Sequence, residues 1–194
     1  CNLIRHNENL FQDIEVVIFP PFTALAAAAD LLKGSTIKLG AQNMHWELEG
    51  AFTGEVAAPM LKELAVNYIL VGHSERRTIF NESNEQIALK IKAVIDSDLI
   101  PVLCVGETEM QRSNGHTEQV LETQLSEALA DADLSRLSRL VIAYEPVWAI
   151  GSGIAASAED AEQASSFIRQ FIDDRFGPEL TAKLFIQYGG SVKT

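Results

Sequence analysis

At 194 residues, with 47% apolar and 22% charged side chains, the chain can bury one sizeable core and has the make-up of an ordinary globular domain. A formal net charge of −12 and the lack of any basic block argue against nucleic acid and anionic membrane surfaces as partners. Cys1 and Cys104 make no disulfide framework, no run reaches the roughly 18 apolar residues of a membrane span, and no signal-peptide pattern occurs, so a reducing, cytoplasmic setting is expected.

The chain opens inside a helical pattern (Leu3, Ile4, Leu10, Phe11) and then delivers six short apolar runs: Val16–Phe19, Ile37–Gly40, Tyr68–Gly72, Ile100–Gly106, Leu140–Tyr144 and Leu184–Tyr188. They are near-continuous rather than alternating, as strands covered on both faces should be. Helical patterns separate them. Phe22 to Lys33 and Glu55 to Ala65 are two, the second expected to bend at Pro59. Ser83-Asn84-Glu85-Gln86 is a capping box ahead of Ile87, Ile91, Val94 and Ile95. Thr117 leads into Leu121, Leu125 and Leu129, and Ser157-Ala158-Glu159-Asp160 resembles a second box before Ala164, Phe167, Ile168 and Phe171.

Strand and helix alternating in this way predict an α/β fold with a parallel sheet in one domain, residues 1–194. An open doubly wound sheet and a closed barrel both fit, although no Gly-x-Gly-x-x-Gly turn follows the first strand. Special residues gather just past each run: Pro20-Pro21, Gln42-Asn43, His73, Glu107, Glu145 and Gly189-Gly190-Ser191. Parallel strands would collect them on one rim, where either architecture places its ligands.

Glu145 closes an apolar run and precedes Pro146, which disfavours helix at the glutamate and holds it extended. A loop tethered by Trp148 and Ile150 and loosened by Gly151 and Gly153 follows. A placed carboxylate beside a segment able to swing over it suits proton abstraction in a sequestered site. His73 stands at another strand end, with Ser74 expected to cap a short helix whose amides disfavour imidazolium. Glu75, Arg76 and Arg77 read as a solvated charge cluster. Gly189 and Gly190 allow close backbone approach to an anion, or simply a tight turn. Cys104 reads as core. His6, His45, His73 and His116 fall in four segments without ligand spacing, so no metal is expected.

Taken together, Ala41-Gln42-Asn43, Gly50-Ala51-Phe52-Thr53-Gly54-Glu55, Gly72-His73-Ser74-Glu75-Arg76, Cys104-Val105-Gly106-Glu107, Ala143 to Gly151 and Tyr188-Gly189-Gly190-Ser191 closely resemble the triosephosphate isomerase family, in that family's order. The resemblance implies an eight-stranded (β/α)8 barrel. It also implies a triose phosphate substrate, no cofactor, and a place in glycolysis and gluconeogenesis. It casts Glu145 as base, neutral His73 as electrophile and Glu75 as a supporting residue. Gly151 and Ser191 become phosphate donors, Tyr188 a latch, and Glu107 the holder of Trp148. A homodimer would form through the loop Gln42 to Glu55. Strands one and eight of the family pattern, with an asparagine and a lysine on the first, have no counterpart here. Six of eight strands and a chain trimmed at both ends are therefore expected. Ile154 stands where the family's lid usually carries lysine. A chain acting only in self-association is the alternative reading.

Overall fold

The computed structural model describes residues 13–137, 139–150 and 155–190. The helix expected from Leu3 to Phe11, and the positions Gly151, Ile154 and Ser191, lie outside the described residues. Within them the six runs form strands β1 (Val17–Ile18), β2 (Lys38–Ala41), β3 (Tyr68–Val71), β4 (Ile100–Val105), β5 (Leu140–Tyr144) and β6 (Leu184–Tyr188). They lie in chain order, each parallel to the next. A doubly wound sheet would reverse its order at a switch point, and this one does not. The helices are α1 (Leu25–Leu31), α2 (Ala58–Glu63), α3 (Ser74–Ile79), α4 (Asn84–Asp96), α5 (Glu109–Ser113), α6 (Thr117–Leu129), α7 (Ala158–Phe176) and α8 (Pro178–Thr181).

The sheet curls. Glu15 precedes β1 and Arg139 precedes β5, so on a flat sheet four strand spacings would part them by roughly 19 Å. Their side chains instead form an ion pair, and the Tyr68 hydroxyl at the start of β3 joins both. Burial, and then the Glu15 carboxylate, push the Tyr68 phenol up to about 12. This knot ties three strand beginnings together across the inside of a six-stranded, incomplete barrel.

Alternation along the strands divides the core in two. Tyr68, Val102, Cys104, Val141 and Ala143 pack inward on one another. Ile69, Val71, Leu103, Val105, Ile142 and Tyr144 pack outward against Ile87 and Ile91 of α4, Leu121 and Leu125 of α6, and Ile168 and Ile172 of α7. β6 departs from the expected covering on both faces: Phe185 is 51% exposed, with the Arg139 guanidinium over its ring.

Local signals explain most boundaries. Ser83 caps α4 and Ser157 caps α7 through reciprocal boxes with Gln86 and Asp160. Pro59 does not bend a helix begun at Glu55. It lies in the first turn of the shorter α2, where its missing N–H costs nothing. The pattern from Phe22 splits into a 3-10 turn, Phe22–Ala24, and α1, which ends at Leu31.

One buried ion cluster was not foreseen. Lys90 of α4, on a helix otherwise read by its apolar face, points its ammonium at Glu82 and at Asn43 Oδ1, 2.7 Å away. Arg76 Nε donates to the same Glu82 oxygen at 3.0 Å. Burial opposes ionisation of Glu82, but Lys90 and Arg76 outweigh it and hold the carboxyl below its ordinary 4.5. Burial shifts the Lys90 ammonium downward as well. Replacing Glu82 by Gln keeps the shape and strands a buried cation, so it should cost about 3–5 kcal/mol in urea unfolding at pH 7. A carboxyl depressed on folding stabilises above its unfolded value and loses that contribution as pH falls. The gap between the two proteins should therefore narrow below about pH 4.5.

Candidate active site

The inward alternation of β5 runs through Val141 and Ala143, and its next inward position is Glu145. The Glu145 amide still donates to Val105 O at 2.8 Å, so the strand ladder holds the residue although the strand ends at Tyr144. Two glycines make room for it. A Cβ on Gly106 would overlap the Glu145 carbonyl oxygen, and one on Gly189 would lie 3.0 Å from Glu145 Cγ. The carboxylate is 6% exposed and faces two donors. Its Oε2 accepts the Ser74 amide at 3.0 Å, and its Oε1 lies 3.1 Å from His73 Nε2.

His73 arrives from β3 through Gly72, whose φ of +72° turns the chain into α3. Ser74 does not cap this helix. His73 is itself the N-cap, its Nδ1 accepting the Glu75 amide at 3.3 Å. An Nδ1 lone pair engaged in this way leaves Nε2, the nitrogen nearer Glu145, to carry the single proton of a neutral ring. The Glu75 carboxylate is exposed and lies 3.8 Å from the same nitrogen, farther than the amide. Glu75 thus supports the ring through its backbone.

Arg76 and Arg77 are not a solvated cluster. Arg77 is half-buried and donates to Gly72 O at 2.7 Å, Asn84 Oδ1 at 2.6 Å and Cys104 O at 3.1 Å, fastening the His73 turn to β4. Burial lowers its guanidinium affinity for a proton, against the pull of the Glu82 and Glu145 carboxylates. Cys104 is core, and burial followed by the Glu145 carboxylate raises its thiol well above the usual range. It stays neutral beside the glutamate.

Past Glu145 the chain makes a 3-10 turn, Val147–Ala149. Glu107 at the end of β4 is fully buried. It accepts the Trp148 indole N–H at 2.8 Å and the Tyr144 hydroxyl at 3.1 Å, while its carbonyl accepts the Val147 amide at 3.1 Å. Arg112, to which no sequence signal pointed, lies over the Trp148 ring at 3.9 Å. The Tyr188 hydroxyl is buried with no partner among the described residues. Also among these residues, no group of three or more His, Cys, Asp or Glu side chains is gathered as a metal site would need, and no helix is long and apolar enough to cross a membrane.

A curled parallel β/α sheet with a buried carboxylate beside an imidazole on its C-terminal rim defines a barrel-type enzyme. The family described as triosephosphate isomerase matches residues 2–194. The chain is 50% identical to the triosephosphate isomerase of Dictyoglomus thermophilum over 182 residues, covering 94% of this chain and 73% of that one. It is 51% identical to that of Alkaliphilus metalliredigens over 181 residues, 93% and 73% of the two chains. It therefore belongs to the triosephosphate isomerase family and is an isomerase of that family's enzymatic type.

The close approach at Gly106 makes a direct test. Gly106→Ala must push the Glu145 backbone away, and overpacking of this kind costs about 1–3 kcal/mol. Thermal unfolding should register that loss, and turnover should fall with it because the carboxylate moves with its backbone.

Proposed function

We propose that the protein interconverts dihydroxyacetone phosphate and D-glyceraldehyde 3-phosphate through an enediolate, without metal or cofactor. The reading extends to a cytoplasmic homodimer serving glycolysis and gluconeogenesis. One observation carries it: the contact of 3.1 Å between His73 Nε2 and Glu145 Oε1, which sets a base and a neutral donor within reach of the same small molecule. Glu145 rests on the Ser74 amide with the imidazole 3.1 Å from its other oxygen. A substrate carbonyl entering between them takes the Nε2–H for itself and leaves Glu145 Oε1 free to act.

Glu145 then removes a proton from the hydroxymethyl carbon of the ketose. The electron pair forms the carbon–carbon double bond and charge moves onto the carbonyl oxygen, where His73 donates. Returning the proton to the neighbouring carbon yields the aldehyde, while the imidazole passes hydrogen between the two oxygens. A fixed donor aimed where charge develops, shielded from water, is worth most at that moment. Gly151 and Ser191 supply phosphate donors in this reading, in a protein whose net charge opposes an anion. Residues 146–156 serve as the lid, anchored at rest by Glu107 and latched by Tyr188.

Self-association through Gln42 to Glu55 is supported by the packing of that loop. His45 donates its amide to Val56 O at 2.9 Å and stacks on Trp46 and Phe52, with ring centroids 4.3 and 4.5 Å away. The loop is thereby stiffened and presents Leu48 outward. Beside it, Phe22, Gln42, Leu70, His73, Glu75 and Phe80 line a cavity of about 350 Å³, roomy enough to admit a protruding side chain of a second copy.

Glu145→Gln retains volume and removes the base, so it should lower isomerase turnover at least a hundredfold in a coupled assay. Turnover near that of the unaltered protein would overturn the assignment.

A further inference from the structure

Arg112 serves no step of the proposed chemistry, yet it lies where two parts of the site meet. It sits on α5, a short helix set rigidly after β4 by a reciprocal capping box. There the Thr108 amide donates to Gln111 Oε1 at 2.8 Å, and the Gln111 amide donates to Thr108 Oγ1 at 3.4 Å. From this mount the guanidinium covers the face of Trp148 at 3.9 Å, while Glu107, five residues earlier on the same connection, holds the indole by its N–H edge. The ring is gripped by an anion in its plane and a cation over its face. Each matches the local sign of the indole, positive at the N–H and negative above the ring.

The other side of Arg112 is engaged as well. Its Nη2 donates to Asp160 Oδ1 at 2.8 Å. Asp160 Oδ2 is already taken by the Ser157 amide at 3.0 Å and the Ser157 hydroxyl at 2.8 Å, in the box that begins α7. Asp160 thus has no freedom to follow a moving guanidinium. The contact with Arg112 holds its carboxyl below the usual range against the opposing effect of burial, with Ser157 assisting. Arg112 thereby connects the first turn of α7 to the chain that leaves Glu145.

We propose that Arg112 is a positioning residue, seating the Trp148 ring against Glu107 from the anchored start of α7 and so fixing the backbone that carries Glu145. Only Pro146 and Val147 separate Trp148 from Glu145, and Val147 is bonded to Glu107 O, so a displaced indole pulls on the base directly. The catalytic part of this inference rests on Glu145 being the base; the seating of the ring does not.

The test uses the full chain carrying Trp46→Phe, which leaves Trp148 as the sole indole, since the sequence has two tryptophans. Arg112→Met should raise acrylamide quenching of Trp148 and lower kcat, each by about fivefold, with KM changed less than twofold. Arg112→Lys keeps a charge for Asp160 but no planar cation for the ring, so its quenching should rise at least twofold while the fold is retained. Unchanged quenching in both variants would refute the seating. Raised quenching with unchanged kcat would refute the link to Glu145. If the unaltered chain shows no isomerase turnover, the functional reading fails, and the quenching result still decides whether Arg112 seats Trp148.

Discussion

A nearly buried carboxylate beside an imidazole is a demanding arrangement, and much of the described structure is accounted for by it. Glu145 is nearly buried, and among the described residues its carboxylate bonds no Lys or Arg; it accepts the Ser74 amide and lies 3.1 Å from His73 Nε2. The Ser74 amide is part of the backbone that begins α3, so this donor is held in place by the helix itself. Strand ends fix both residues, and the curl of the sheet brings together strands β3 and β5, which on a flat sheet would stand roughly 10 Å apart. The Glu15–Tyr68–Arg139 knot at the opposite end helps keep that curl.

Charge is handled differently a few ångströms away. The cations of the rim are spent on structure: Arg77 on backbone carbonyls, Arg76 and Lys90 on Glu82, Arg112 on Trp148 and Asp160. Each has a partner that keeps it from reaching Glu145. The buried Lys90–Glu82 pair also reaches Asn43, so the root of the loop Gln42 to Glu55 is tied to α4. Self-association through this loop would accordingly act on the same turn that presents His73.

Glycine serves these packing demands without any unusual torsion at Gly106 or Gly189. At both positions the issue is space, since neighbouring backbone or Glu145 itself occupies the volume of a Cβ. Gly72 is the exception, a left-handed turn that converts a strand direction into a helix start.

Read alone, the sequence determined the strands, their parallel arrangement and the rim on which Glu145 and His73 fall, because apolar runs, capping boxes and Pro146 act within a few residues of themselves. The two candidate architectures it left open were separated by strand order, which is a long-range property. Three readings changed: Pro59 begins a helix, His73 rather than Ser74 caps α3, and Arg77 is half-buried. A charged residue in a sequence looks solvated until the chain that covers it is in place. Lys90, Arg77 and Arg112 take their partners from residues 5 to 48 positions away, and only the closed packing of strands and helices brings those groups within bonding distance.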